Sequence, residues 1–179
     1  PEPLARVGAT ATVERAEARR TPTAVSNYWK GSAERERSAR RATEAFDAIE
    51  CLPHLLRDVA TVDTSTTILG ERVAFPVVLG PTGFTRMMRT EGEPAVARPA
   101  GRAGVPYTLS TMGTPSLEEL AAQAPDASRW FQLSLWRDRQ RIQYLFDRAT
   151  ASDYRSIFLS RTVPVACARP RHAHHRLHI

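Results

Sequence analysis

The stretch FPVVLGPTGFTRM, Phe75 to Met87, decides how the rest of the chain is read. Its opening residues form an apolar run without polar alternation, the pattern of a strand covered on both faces in a parallel sheet. The run then breaks into Pro81-Thr82-Gly83, where proline fixes φ and small residues let main chain approach a neighbour closely. Downstream, helical patterns over Glu91 to Ala103, Ser116 to Ala124 and Asp138 to Ala151 alternate with strand patterns over Val105 to Leu109, Trp130 to Leu135 and Ser156 to Ser160. Four strands separated by three helices and short loops are the signature of βαβ units. A doubly wound sheet and a (β/α)₈ barrel both begin this way. No glycine-rich dinucleotide fingerprint follows the first strand, which removes the main support for the former. The expected fold class is therefore α/β, a partial (β/α)₈ barrel of about four strands.

Upstream of Phe75 the pattern differs. Thr10 to Arg20 reads as a helix ended by Thr21-Pro22-Thr23, and a second helix is expected from Ala33 to Ala48. That second helix carries Arg and Glu on one side, with Ala42 and Phe46 four apart on the other. Gly70-Glu71, between Thr67-Ile68-Leu69 and Arg72-Val73-Ala74, suggests a small hairpin. The organisation expected is a helical segment over residues 1–50, a half barrel over 51–160 and a basic tail over 161–179.

The chain has 179 residues and begins at Pro1 rather than methionine, so it is expected to be part of something longer. No apolar run approaches the roughly 18 residues of a membrane span, and the N-terminus lacks the apolar segment of a secretory signal. Cys51 and Cys167 are too few and too far apart for a disulfide framework or a zinc site. Together these point to a cytoplasmic protein. The formal charge of +6 is concentrated at the end: Arg161 to Ile179 holds four arginines and four of the five histidines and no acid. The body is nearly balanced, and Lys30 is the one lysine among 25 cations, which suits GC-rich coding better than a phosphate-binding face. Nucleic acid is not an expected partner. An alternative reading takes the chain as a small basic interaction protein whose tail binds anionic partners. The tract HAHH with His178 has the composition of a weak zinc or nickel binder, yet no metal site is expected. The tail reads better as a decayed or out-of-frame end.

Ligands of parallel α/β folds sit beyond the carboxyl ends of the strands. Four places qualify: Pro81-Thr82-Gly83, Ser110-Thr111-Met112, Gln132-Leu133-Ser134, and Ser160 onward. Each offers hydroxyls, a carboxamide or bare backbone, and none an acid or a cluster of metal ligands. Such a mouth suits a neutral, flat heterocycle with several carbonyls and ring nitrogens. A single Ser or Thr at a strand end is ordinarily a turn or cap residue, so the weight lies on their joint placement.

At these residues the chain resembles the FMN-dependent α-hydroxy acid oxidoreductases, from about Ala24 to Arg169 and most of all in the L-lactate dehydrogenase branch. NYWKGSAERE, LRDVATVDTSTTILG and PTGFTRMMRTEGEPAVAR carry the likeness, the last most specifically. The resemblance implies FMN as cofactor, a small 2-hydroxy acid as substrate, and oxygen, quinone or a cytochrome as an electron acceptor that is left open. It implies that the backbone of Pro81, Thr82 and Gly83 lies against the reactive edge of the flavin, where a β-carbon at Gly83 is expected to be tolerable. It implies that Ser110 and Gln132 hydrogen-bond the flavin, with Ser160 in place of a flavin-binding threonine. Tyr28 and Arg169 match groups that hold the substrate carboxylate. Relatives include tetramers and proteins peripheral to the inner face of the cytoplasmic membrane, so both traits are carried as expectations.

Departures from the family pattern are also legible. Ser134 stands where an active-site tyrosine is usual, Thr162 replaces the aspartate that orients the catalytic histidine, and Cys167 replaces a glycine. Met112 occupies a variable position that faces substrate. Arg161 is expected to put a charge inside a buried strand, at several kcal/mol. Pro99 is expected to remove a hydrogen bond inside its helix, at about 3 kcal/mol. The family's catalytic histidine, a substrate arginine and a flavin-contacting lysine match no position here. No catalytic residue is assigned, and the polypeptide alone is expected to be inactive.

Overall fold

Short segments of three to seven residues between glycine, proline and serine become strands, and the longer segments between them become helices. The computed structural model describes residues 10–161 and 167–171. The chain divides into two compact units, Pro1–Arg57 with Val165–Ile179, and Asp58–Pro164.

The first unit contains α1 (Thr10–Arg20), α2 (Thr23–Lys30) and α3 (Arg37–Asp47). Helix α2 was not expected, because Pro22 reads as a terminator. It ends α1 and, with its φ of −54°, also opens α2 from the position just before the first turn. Lys30 joins the two helices, its Nζ lying 3.4 Å from Glu14 and 3.6 Å from Glu17. The second expected helix starts four residues late, since Glu34 and Glu36 adopt positive φ of 51° and 56°. Its apolar side is not buried: Phe46 is 76% exposed and α3 has no buried residue.

The second unit opens with a hairpin, β1 (Thr66–Ile68) paired antiparallel to β2 (Glu71–Val73). Its two-residue turn, Leu69-Gly70, has φ of 49° and 81°, the left-handed pair that matches strand twist. Then follow β3 (Leu79–Thr82), α4 (Pro94–Arg102), β4 (Tyr107–Ser110), α5 (Leu117–Gln123), β5 (Arg129–Leu135), α6 (Arg139–Ala151) and β6 (Ser156–Arg161). The strands form one parallel sheet in the order β3-β4-β5-β6. Ser116 caps α5 by accepting from the Glu119 N–H, and Asp138 caps α6 by accepting from Gln140 and Arg141.

One face of the sheet packs on the helices. Tyr107 and Leu109 of β4 and Phe131 and Leu133 of β5 join Ala97, Ala100, Leu117, Leu120 and Ala149 in a single buried cluster. Residues of opposite parity, Thr108, Ser110, Trp130, Gln132 and Ser134, therefore look to the other face. There the Trp130 indole donates to Glu71 of the hairpin at 3.2 Å and packs on Phe158, ring centroids 5.3 Å apart.

Two expectations need correction. The Phe75 run yields only a four-residue strand, and β3 is half-buried at Leu79 and exposed over Gly80–Thr82, as an edge strand of the sheet. The central strand β4 alone is buried at every position. Arg161 is exposed at the tip of β6, so no charge is buried there. Pro99 lies inside α4 as expected, and the helix continues past it to a bond from the Ala103 N–H to the Pro99 carbonyl.

Candidate flavin site

Parallel pairing brings all four carboxyl ends to one edge of the sheet. Cα register sets Ser110 beside Gln132 and Ser134 beside Ser160, at the spacing of neighbouring strands, about 4.8 Å. Thr82 ends β3 next to Leu109. The six expected flavin residues, Pro81, Thr82, Gly83, Ser110, Gln132 and Ser160, thus stand along one rim. Tyr28 lies on α2, half-buried, and Arg169 is exposed; both belong to the first unit. Thr162 and the histidines from His172 onward lie outside the described residues.

The rim is held by side chains bonded to one another. The Ser110 hydroxyl donates to Gln132 Oε1 at 3.2 Å and accepts from the Met112 N–H at 3.0 Å. Gln132 Oε1 also accepts from the Thr111 N–H, and its Nε2 donates to the Ser134 hydroxyl at 3.0 Å. Beyond the last ladder residue of β4, the Thr111 hydroxyl takes over: it donates to the Gln132 carbonyl and accepts from the Ser134 N–H. This chain of bonds fixes the rotamers of Ser110 and Gln132, which are 7% and 8% exposed, before any ligand arrives. One N–H of the Gln132 carboxamide remains for an outside acceptor.

The third element of the rim is bare main chain. Pro81 and Thr82 are exposed, and nothing lies within 4 Å of the point where a β-carbon on Gly80 would stand. Gly83 is different: a β-carbon there would sit 2.8 Å from Met112 Cβ and 3.2 Å from its carbonyl oxygen. The expectation that a β-carbon is tolerable at Gly83 is therefore corrected, because the β4–α5 loop fills the space.

An open floor of backbone, a pre-aligned carboxamide and several hydroxyls fit the edge of a planar ring carrying carbonyls and ring nitrogens. The Thr108 hydroxyl, on the same face as Ser110 and two residues below it, is buried with no hydrogen-bond partner. The described residues contain no group of three or more His, Cys, Asp or Glu able to hold a metal ion.

Sequence reading missed one charged group. Glu93, just before α4, is 0% exposed, and its Oε1 accepts from the Thr114 N–H at 2.8 Å, the Thr114 hydroxyl at 3.2 Å and the Thr85 N–H at 3.4 Å. In the sequence it is indistinguishable from an ordinary acid at a helix start. Burial first, and the Glu93 charge second, push the Tyr107 phenol well above its usual range.

A profile of FMN-dependent dehydrogenases matches residues 17–179. A protein of Mycobacterium tuberculosis (strain ATCC 25618 / H37Rv) named "Putative L-lactate dehydrogenase" is 44% identical over 169 residues, 93% of this chain and 41% of that one. Human 2-hydroxyacid oxidase 1 is 34% identical over 143 residues, 80% of this chain and 39% of that one. The crystal structure of the monotopic membrane protein (S)-mandelate dehydrogenase superposes with a TM-score of 0.88 at 32% identity, over 93% of this chain and 44% of that chain. The chain thus spans about two fifths of the length of these relatives.

Proposed function

The chain belongs to the FMN-dependent dehydrogenase family, and from that premise we propose that the rim of its second unit is one wall of the FMN site of an L-2-hydroxy acid oxidoreductase, with L-lactate as the foremost substrate. The observation that carries this reading is the joint presence, on one sheet edge, of exposed main chain at Pro81 and Thr82, half-buried Gly83 beside them, and the bonded set Ser110, Gln132 and Ser134. When bound, FMN supplies acceptance of a hydride equivalent from the carbon bearing the substrate hydroxyl.

The chain's own residues hold and orient. Pro81 stiffens the end of β3 so that backbone rather than side chain meets the ring. The free N–H of Gln132 donates to a ring acceptor, and Ser110 keeps the carboxamide in plane. Ser160 offers a hydroxyl beside Ser134. Tyr28 and Arg169 take the carboxylate of the hydroxy acid, a phenol and a guanidinium being suited to charge-assisted bonds. Peripheral membrane attachment is proposed by analogy with the monotopic relative; none of the described helices is long and apolar enough to cross a membrane.

Removing the proton of the substrate hydroxyl needs a base. Among the described residues the single histidine is His54, exposed in the first unit. The family's catalytic histidine matches no position of this sequence, so the 179-residue polypeptide by itself is expected to bind FMN and leave L-lactate unoxidised. The test is an anaerobic titration of the purified polypeptide. Saturable quenching of FMN fluorescence supports the flavin wall, and no binding refutes it. Bleaching of the flavin by L-lactate would overturn the expected lack of turnover.

A further inference from the structure

Two loops flank the rim: the segment from Gly83 to Glu93, which follows β3, and the segment from Thr111 to Ser116, which follows β4. They touch where the Phe84 N–H donates to the Met112 carbonyl at 2.9 Å and where Gly83 faces Met112 Cβ. Two residues further along each loop, Thr85 and Thr114 both direct their N–H groups at the same Glu93 oxygen. The other oxygen, Oε2, is buried without a partner, as is the Thr85 hydroxyl. Burying a carboxylate is costly unless its bonds recover the lost hydration, and half of this carboxylate recovers none. Packing alone would be better served by an apolar residue of the same size.

We propose that Glu93 is a positioning residue that sets the spacing between the end of β3, Pro81 to Gly83, and Met112. The proposal rests on the flavin reading above for its functional meaning. A negative acceptor at the start of α4 bonds two N–H groups more strongly than a neutral one does, and it also gains from the helix N-terminus. Glu93 touches no ring or substrate; it acts through the two loops that do. With the acid in place, the gap at Gly83–Met112 is held tight. Without it, the end of β3 and Met112 separate and the bare main chain loses its alignment with the Ser110–Gln132 pair.

The test uses the full 179-residue polypeptide as wild type, Glu93→Gln, Thr114→Val and Glu119→Gln. Glu119 is the control, because it pairs at 2.9 Å with Arg86 of the same loop but is part-exposed. Amide hydrogen exchange at Thr85 and Thr114 is expected to speed up by about tenfold in Glu93→Gln, with β5 amides unchanged. Thr114→Val, which keeps the carboxylate, is expected to show a weaker version of the same pattern, so the test survives if Glu93→Gln fails to fold. Glu119→Gln is expected to leave exchange at Thr85 and Thr114 unchanged. At saturating FMN, the visible bands of the bound flavin are expected to move in Glu93→Gln, a signature that mere loss of stability would not produce. Uniform acceleration throughout the unit, or an unmoved spectrum with unchanged FMN affinity, overturns the proposal. If wild type binds no FMN, the flavin reading falls separately, and the exchange pattern alone decides whether Glu93 spaces the loops.

Discussion

Gly83 shows what a missing side chain does at this rim. A methyl added there meets Met112 Cβ at 2.8 Å, an atom that no rotamer change can move. Gly83→Ala is therefore expected to shift the β4–α5 loop and lower stability by about 1–3 kcal/mol, the usual range for overpacking. Thermal unfolding followed by circular dichroism measures it, and Met112→Gly, which removes the opposing carbon, is expected to recover part of the loss in the double variant. Additive losses in that cycle would mean that the two sites do not press on each other. Gln132 makes the opposite point, since it serves three neighbours at once. Gln132→Leu leaves the Ser110 hydroxyl, the Thr111 N–H and the Ser134 hydroxyl each without one bond, at about 1–3 kcal/mol for a buried group left unpaired. It is expected to weaken FMN binding by more than tenfold; unchanged affinity would remove Gln132 from the site. The placement of Ser110 and Ser160 near the carboxyl ends of their strands was legible in the sequence because strand patterns can be counted. The Gly83–Met112 contact and the Glu93 bonds were not, because they depend on how closely two loops approach.

Among elements, the outer layer is tied by ion pairs and the inner layer by a buried arginine. Arg148 of α6 grips Glu118 of α5 through two bonds of 2.7 and 2.6 Å, and that hydrogen bonding first of all lowers the Glu118 carboxyl to about 2. A depressed carboxyl stabilises the fold above its unfolded pKa, near 4.5, and the contribution is lost as pH falls from there toward 2. Glu118→Gln is expected to flatten the fall in melting temperature between those limits, although the pair is partly exposed and solvent screens it. An equally steep fall in the variant would show that other acids dominate. Arg129, 8% exposed, donates to the carbonyls of Ala124, Pro125 and Ala127, closing the end of α5. Arg129→Ala strands those carbonyls and is expected to cost about 3 kcal/mol, measured by urea unfolding. The alternation of strands and helices from Leu79 to Arg161 could be read in advance, since period and turn chemistry are local. Helix α2 and the exposure of β3 could not, for Pro22 carries the same local signal whether it ends a helix or begins one, and a strand's burial depends on neighbours supplied from elsewhere.

At the scale of the whole molecule, the second unit is a four-stranded part of the (β/α)₈ barrel that its relatives complete, and β6 presents a free edge among the described residues. Leu159 is 64% exposed and stands beside Leu133, whose side chain is in the helix-facing cluster. Phe158 and Ser160, of opposite parity, face the other side with Trp130. An unpaired strand next to exposed apolar side chains is a template for pairing with another chain. The purified 179-residue polypeptide is accordingly expected to self-associate with rising concentration in sedimentation velocity. Leu159→Lys places a charge on the exposed helix-facing side of that edge and is expected to raise the monomer share. Because Leu159 and Ser160 point to opposite faces, the same substitution is expected to leave FMN affinity within about twofold of wild type. A polypeptide monomeric at every concentration would mean that β6 is covered by some other part of the chain. Association that persists unchanged in Leu159→Lys would move the sticky surface away from this edge, toward the exposed Phe46, Leu52, Leu55 and Leu56 of the first unit.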